Sequence, residues 1–226
     1  RSTLFPSTTL FRSKAFSFAI IADQVASRSG ADRVPQALES LAGLSLTLPF
    51  ERTAGDEIQG LADDPAAVVG AVVRLTRIEG WRLGIGAGTV ETPLPSSTRA
   101  ARGGAYLAAR TAIAGARRSP TGLALALDIG VGADRYGELV DLTRDAEAAL
   151  WLLRSVLARR SPEGWELMDL LDEGLSNAEA AERLGISPSA VSQRLGRAAR
   201  QEGSRGAALT VRLLSRLQSA ASEVSS

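Results

Sequence analysis

Near the C-terminus, Ser187, Ser189, Ser192, Gln193, Arg194, Arg197 and Arg200 recur at spacings that put them on the outer face of one helix. Small hydroxyls at its N-terminal end can approach base edges, Gln193 and Arg194 can contact bases in bidentate fashion, and Arg197 and Arg200 suit phosphates. From Ser187 to Arg205 four arginines stand against Glu202 alone, a local net charge of +3. Upstream lies a second kind of chemistry. Asp23 closes an apolar run and Asp56 sits at a turn between two strand-like segments. Two carboxylates so placed would hold Mg²⁺ if the fold brings them together, and Asp at a strand end or turn also needs no ligand at all.

Composition removes most other chemistry. The 226 residues contain neither His nor Cys, so thiol nucleophiles, imidazole acid-base catalysis, Ser-His-Asp triads and Cys or His zinc sites are excluded. With 26 Lys+Arg against 25 Asp+Glu the net charge is +1, and any basic surface must be local. Only Lys14 is a lysine; the arginine bias, beside heavy use of Ala and Gly, reflects G+C-rich coding more than a phosphate-binding design. No apolar run reaches the roughly 18 residues of a membrane span, so a cytoplasmic protein with no membrane partner is expected.

The elements that must position these groups follow from periodicity. Phe16 to Ala22 reads as a buried strand, 31–42 as a helix with Val34, Leu38 and Leu41 inward, and 44–52 with 56–61 as a hairpin. Asp64-Pro65 caps a helix over 66–78. A strand over 81–91, a helix over 104–116, a strand over 122–129 and a helix over 146–159 complete a β-α-β-β-α-β-α-β order. That order predicts an α+β fold, a ferredoxin-like (cyclase-like) βαββαβ sandwich with an addition, followed by an all-α helix-turn-helix domain. Gly84, Gly86 and Gly88 lack the G-x-G-x-x-G spacing and, inside a strand, point to close backbone packing. Trp81 and Tyr106 read as core aromatics.

Beyond Ser161 the pattern is helical only. Ser176 with Glu179 forms a capping box, Gly185 stops that helix, and Ser187-Pro188 starts the next, which carries Val191 and Leu195 on its inner face. A capped helix, a short Gly-containing turn and a second capped helix is a helix-turn-helix. The alternative is a three-helix interaction module whose arginines are merely solvated. The acidic stretch with Glu166, Asp169, Asp172 and Glu173 should face away from DNA. Leu209, Leu213, Leu214 and Leu217 mark a terminal helix that either closes the core or mediates dimerisation.

Two resemblances add to this. Leu175 to Leu195, with Ala178, Ala181, Leu184, Gly185, Ile186, Ser187 and Val191 at its key positions, resembles the helix-turn-helix of bacterial regulators and of sigma-factor C-terminal regions. The segments Ala19–Arg28, Thr53–Leu61, Arg82–Thr92 and Gly104–Arg110 resemble those of the SatD family and, more distantly, the catalytic core of class III nucleotide cyclases and diguanylate cyclases. The second resemblance covers roughly residues 16–130. It implies that Asp23 and Asp56 are metal aspartates and that Arg110 would stabilise a pentavalent phosphate. Tyr106 stands where the cyclases have an asparagine, Arg52 where they have the base-selecting lysine, and Arg102-Gly103 replaces an acidic residue and glycine. These departures weigh against cyclisation and leave Mg²⁺ or nucleotide binding open.

The expected organisation is therefore four segments. Residues 1–13 resemble a translated sequencing adapter and are read as a disordered artefact or, failing that, a native arm, which puts the true start near Lys14. Residues 14–140 form the cyclase-like domain, 141–160 a connecting helix and 161–226 the DNA-binding domain. The expected function is a DNA-binding regulator whose N-terminal domain senses a nucleotide or other small-molecule effector or mediates homodimerisation. The alternatives are a Mg²⁺-dependent nucleotidyl-transfer or cyclase-type enzyme using Asp23 and Asp56, and a non-catalytic protein scaffold.

Overall fold

The structure, a computed structural model, describes residues 14–25, 30–128 and 135–224. The adapter-like residues 1–13 and Arg28, the end of the first SatD-like segment, lie outside these. Five strands and three helices come first: β1 (Lys14–Gln24), α1 (Val34–Leu41), β2 (Leu48–Arg52), β3 (Glu57–Ala62), α2 (Pro65–Arg77), β4 (Trp81–Glu91), α3 (Gly104–Ala116) and β5 (Leu123–Asp128). Five helices follow: α4 (Tyr136–Leu157), α5 (Pro162–Asp172), α6 (Asn177–Leu184), α7 (Pro188–Arg197) and α8 (Arg200–Val224). The class is mixed α and β, with a five-stranded sheet in the order β2-β3-β1-β4-β5. β1 lies antiparallel to both β3 and β4, and only β4 and β5 run parallel.

β1 is central and covered on both faces, which is why Phe16 to Ala22 is apolar on both faces but for the buried Ser17. Phe18, Ile20 and Ala22 point into a core shared with α1, α2, α4 and α8, while Ala19 and Ile21 meet α3 on the other side. The three glycines of β4 explain how α3 sits. A Cβ at Gly86 would lie 2.1 Å from the backbone of both Ala105 and Ala109, and one at Gly84 would lie 2.3 Å from the Ile113 nitrogen. The helix backbone thus rests directly on the strand, and only glycine permits that approach. Trp81 and Tyr106 are both buried, as core aromatics are.

α4 begins ten residues earlier than its apolar spacing predicts, at Tyr136 rather than 146. It is no connector. Leu139, Leu142, Ala146, Leu150, Leu153 and Leu157 are buried in the main core. Its polar residues also finish the sheet: Trp151 Nε1 donates to the Leu123 carbonyl at 2.7 Å, and Glu147 accepts from the Leu125 amide at 2.8 Å. These side chains take up backbone groups of the edge strand β5 that would otherwise be open to another chain.

α8 takes the core-closing alternative. Leu214, Leu217, Ala220 and Ala221 are buried in the main core, and the Gln218 amide donates to the Asp63 carbonyl at 2.7 Å. Gly203 lies against Leu157 and Gly206 against Leu153, so α4 and α8 pack antiparallel. The expected division at residue 161 therefore fails for α8, whose apolar face completes the first core. Only α5, α6 and α7 enclose a small core of their own, built on Leu167, Leu171, Ala180, Ala181 and Val191. Among the described residues no helix is long and apolar enough to cross a membrane.

Candidate nucleic-acid interface

The α6–α7 pair is built by local signals that all agree. The Ser176 hydroxyl accepts from the Glu179 amide and the Glu179 carboxylate accepts from the Ser176 amide, the reciprocal capping box. Gly185 ends α6 in the left-handed region at φ 64°, and the Ile186 amide reaches back to the Ala181 carbonyl at 3.0 Å. Ser187 then caps α7 by accepting from the Ala190 amide at 3.1 Å, with Pro188 in the first turn. Each such cap contributes about 1 kcal/mol. Val191 is fully buried between the helices and fixes which face of α7 is left outside.

That outer face carries Ser189, Ser192, Gln193 and Arg197, all exposed, with Ser187 at its head. The Ser192 hydroxyl donates to the Pro188 carbonyl at 3.2 Å and keeps its lone pairs for an incoming donor. Two members of the expected set are placed differently. Arg194 is turned inward, its side chain only 26% exposed and 3.9 Å from the Glu166 carboxylate of α5. Arg200 is not on α7: the helix ends at Arg197, Ala199 adopts φ 48°, and Arg200 opens α8. The spacing alone runs on past Arg197, and the chain reversal at Ala198-Ala199 carries no glycine or proline to announce it.

The unit is held to the rest of the molecule through α5. Asp169 accepts two hydrogen bonds of 2.7 Å from Arg77 of α2. Trp165 lies under two cations, Arg160 at 4.3 Å and Arg77 at 5.4 Å from the ring centre. Arg160 also donates to the Ala198 carbonyl at 2.9 Å, capping the end of α7. The acidic residues of α5 are thus partly spent on intramolecular cations, and α7 is left as the basic face.

The second cluster lies on the α3 side of the sheet. Asp23 pairs in register with Glu57 of β3 and Arg82 of β4, so all three side chains share one face. Arg82 stands 3.9 Å from the Asp23 carboxylate, and Arg110 of α3 ion-pairs with Glu57. Asp56 precedes β3 in the turn, close enough for its charge to act on Asp23. Burial, and then the negative charge of Asp56, raises the Asp23 pKa above the ordinary carboxylate value, against the pull of Arg82 and Arg117. The Gln24 amide donates to the Asp56 carbonyl at 3.3 Å, which brings Asp56 beside the end of β1, while Glu57 is the carboxylate that shares the Asp23 face. Strand pairing would have shown this, since residues opposite each other in an antiparallel ladder project to the same side. Among the described residues no group of three or more acidic side chains is arranged to hold a metal ion.

The positions that depart from the cyclase pattern are occupied internally. Arg52 ion-pairs with Asp32, which lowers the Asp32 pKa. The Tyr106 hydroxyl lies 3.3 Å from Thr98 Oγ1, and burial raises its pKa.

Residues 170–201 match the family model Sigma-70, region 4. The match spans α6, the turn and α7, and supports a DNA-binding regulator. No curated protein matches the chain. A solved structure, the regulator of polyketide synthase expression from Bifidobacterium adolescentis, is similar at 17% identity over 92% of this chain and 82% of that one, with a TM-score of 0.27. A likeness that low says nothing of function here.

Proposed function

We propose that the protein is a sequence-specific DNA-binding regulator that inserts α7 into the major groove. The observation that carries this is the Sigma-70 region 4 match over a helix pair whose second helix is doubly capped and polar outside. Ser189 and Gln193 read base edges, Ser187, Arg197 and Arg200 hold phosphates, and Ser192 assists either. Arg194 joins the base-reading set by exchanging Glu166 for a base, which costs little at a separation of 3.9 Å. Binding as a homodimer to paired half-sites is the expected mode.

The N-terminal module is the sensing or assembly part. The order β2-β3-β1-β4 with antiparallel neighbours supports the ferredoxin-like, cyclase-like assignment, with β5 appended beside β4, and is compatible with the SatD resemblance. The burial of Tyr106 beside Thr98 favours a non-catalytic role, because the position that would meet a nucleotide is part of the core.

In-vitro selection from a random DNA library with the full chain, followed by anisotropy titration at several salt concentrations, tests the proposal. An enriched motif bound with a steep salt slope is expected. No enrichment and no salt-dependent binding would reduce α7 to a solvated face. A Mg²⁺-dependent nucleotidyl transfer is favoured by one observation, the hydrogen bond from the Gln24 amide to the Asp56 carbonyl that sets Asp56 beside the residue next to Asp23. Release of pyrophosphate from a nucleoside triphosphate by the full chain, lost in Asp23→Asn, would establish it.

A further inference from the structure

Arg154 of α4 is more than nine-tenths buried, yet its guanidinium meets only backbone carbonyls. One nitrogen donates to the Gly122 carbonyl at 2.9 Å and the other terminal nitrogen to the Trp81 carbonyl. No charged group among the described residues offsets it, and burial alone lowers its pKa to about 10. Carbonyl dipoles satisfy two of the five N–H donors and leave the net charge uncompensated. A buried cation without an anion is costly and is retained where something compensates it.

The same side chain lines a cavity of about 330 Å³ between the α2–β4 turn, the α3–β5 turn and the last turn of α4. That volume is in the range of small-molecule sites. Its wall combines apolar surface from Ile78 and Ala158 with hydroxyls from Thr121 and Ser155. Glu79 at the rim is exposed and does not pair with Arg154. A wall that combines Arg154 with hydroxyls and apolar surface suits a compact organic molecule bearing one anionic oxygen group.

We infer that this cavity is a binding site for a small oxyanion-bearing ligand, a carboxylate or phosphate, whose charge is met by Arg154. Its place gives the ligand leverage on the helical unit. Thr76 and Ile78 in the cavity wall flank Arg77, which grips Asp169 of α5. Ala158 is two residues from Arg160, which stacks on Trp165 and caps α7. Two parts of the cavity lining thus lie close in sequence to the two cations that seat α5 and α7. This coupling rests on the DNA-binding proposal; the ligand site itself does not.

The test uses the full chain, with sodium phosphate and sodium succinate as probes and sodium chloride at equal ionic strength as control. Thermal unfolding and calorimetric titration are read for the natural sequence and for Ala158→Trp, which fills the mouth from an exposed helix end and leaves the core intact. A saturable stabilisation by phosphate or succinate is expected, weakened at least tenfold in Ala158→Trp, and which probe wins identifies the anionic group. Equal shifts in both proteins, or no saturable shift with either probe, would overturn the site. DNA affinity measured with and without the stronger probe should change at least fivefold, the lower range of coupling between sites. Unchanged DNA affinity in the presence of saturating probe would overturn the coupling, whereas failure to bind DNA at all would remove the proposed function and leave the calorimetric result standing.

Discussion

Replacing Gly86 by alanine is the sharpest test of how α3 is seated. Elsewhere in a strand the change would be mildly favourable, because glycine forfeits about 0.5–1 kcal/mol of backbone entropy relative to alanine. Here the new methyl carbon would lie 2.1 Å from the Ala105 carbonyl oxygen and the Ala109 nitrogen, and 2.7 Å from the Ala109 Cα. Carbon contacts settle at about 3.5 Å or more, so α3 must retreat by about 1 Å. Both obstructing groups are backbone, so no rotamer change relieves the clash. The retreat also opens gaps along Gly84 and Gly88, and a gap of that size forfeits roughly a quarter to a half of each dispersion contact. Overpacking costs about 1–3 kcal/mol where side chains yield; against rigid backbone the upper end, about 3 kcal/mol, is expected, out of a total near 5–15 kcal/mol. Gly115→Ala on the same helix is the control. Its Cβ would meet only the Ala124 methyl at 3.8 Å, so the helix should gain about 0.5–1 kcal/mol. Urea unfolding followed by circular dichroism gives both values from shifts in midpoint at constant slope. A Gly86→Ala protein within about 0.5 kcal/mol of the natural sequence would show that α3 is not fixed by backbone contact.

Arg197→Ala should weaken binding to all DNA sequences alike and reduce the slope of log affinity against log salt by about 0.9, whereas Gln193→Ala should cost about 1–3 kcal/mol on the selected sequence only; anisotropy titrations separate the two. The raised Asp23 pKa gives a signed pH effect: its contribution to stability is complete below the unfolded value near 3.8 and is lost as pH rises through the higher folded value. Asp23→Asn should therefore be more stable than the natural protein at neutral pH and indistinguishable from it at low pH, which thermal melts across a pH series will read. Asp169→Ala, by contrast, breaks an ion pair whose side chains are 44% and 45% exposed, so it should change overall stability by no more than about 1 kcal/mol. It should nonetheless accelerate amide exchange in α5 through loss of the Arg77 clamp.

Much of the α6–α7 pair was legible because every signal there is local. A Ser-x-x-Glu cap, a left-handed glycine and a Ser-Pro start need no knowledge of the rest of the chain, and the structure places each where the spacing does. The inward turn of Arg194 was not legible, since its partner Glu166 sits on a helix earlier in the chain. The same division separates success from failure in the sheet. Apolar runs located every strand, but which carboxylates share a face depends on register, and Glu57 reaches the face of Asp23 only through the β1–β3 pairing. The glycines of β4 were readable as a site of close approach, though not as the seat of α3.

The domain boundary was hidden for a physical reason. A purely helical stretch after residue 161 has the same periodicity whether its apolar face closes a new core or completes an old one. α8 does the latter, so α5, α6 and α7 form an insertion between two antiparallel helices of one core. Both ends of the insertion are anchored: α4 leads into it from Leu157, and α8 leads out beside Gly203. A unit tethered at one end by a flexible linker would move freely of the sheet. One held between two packed helices, and clamped by Arg77 and Arg160, can shift only when those helices or clamps shift. Changes in the sheet module therefore have a short mechanical route to α7, and the cavity around Arg154 lies on that route.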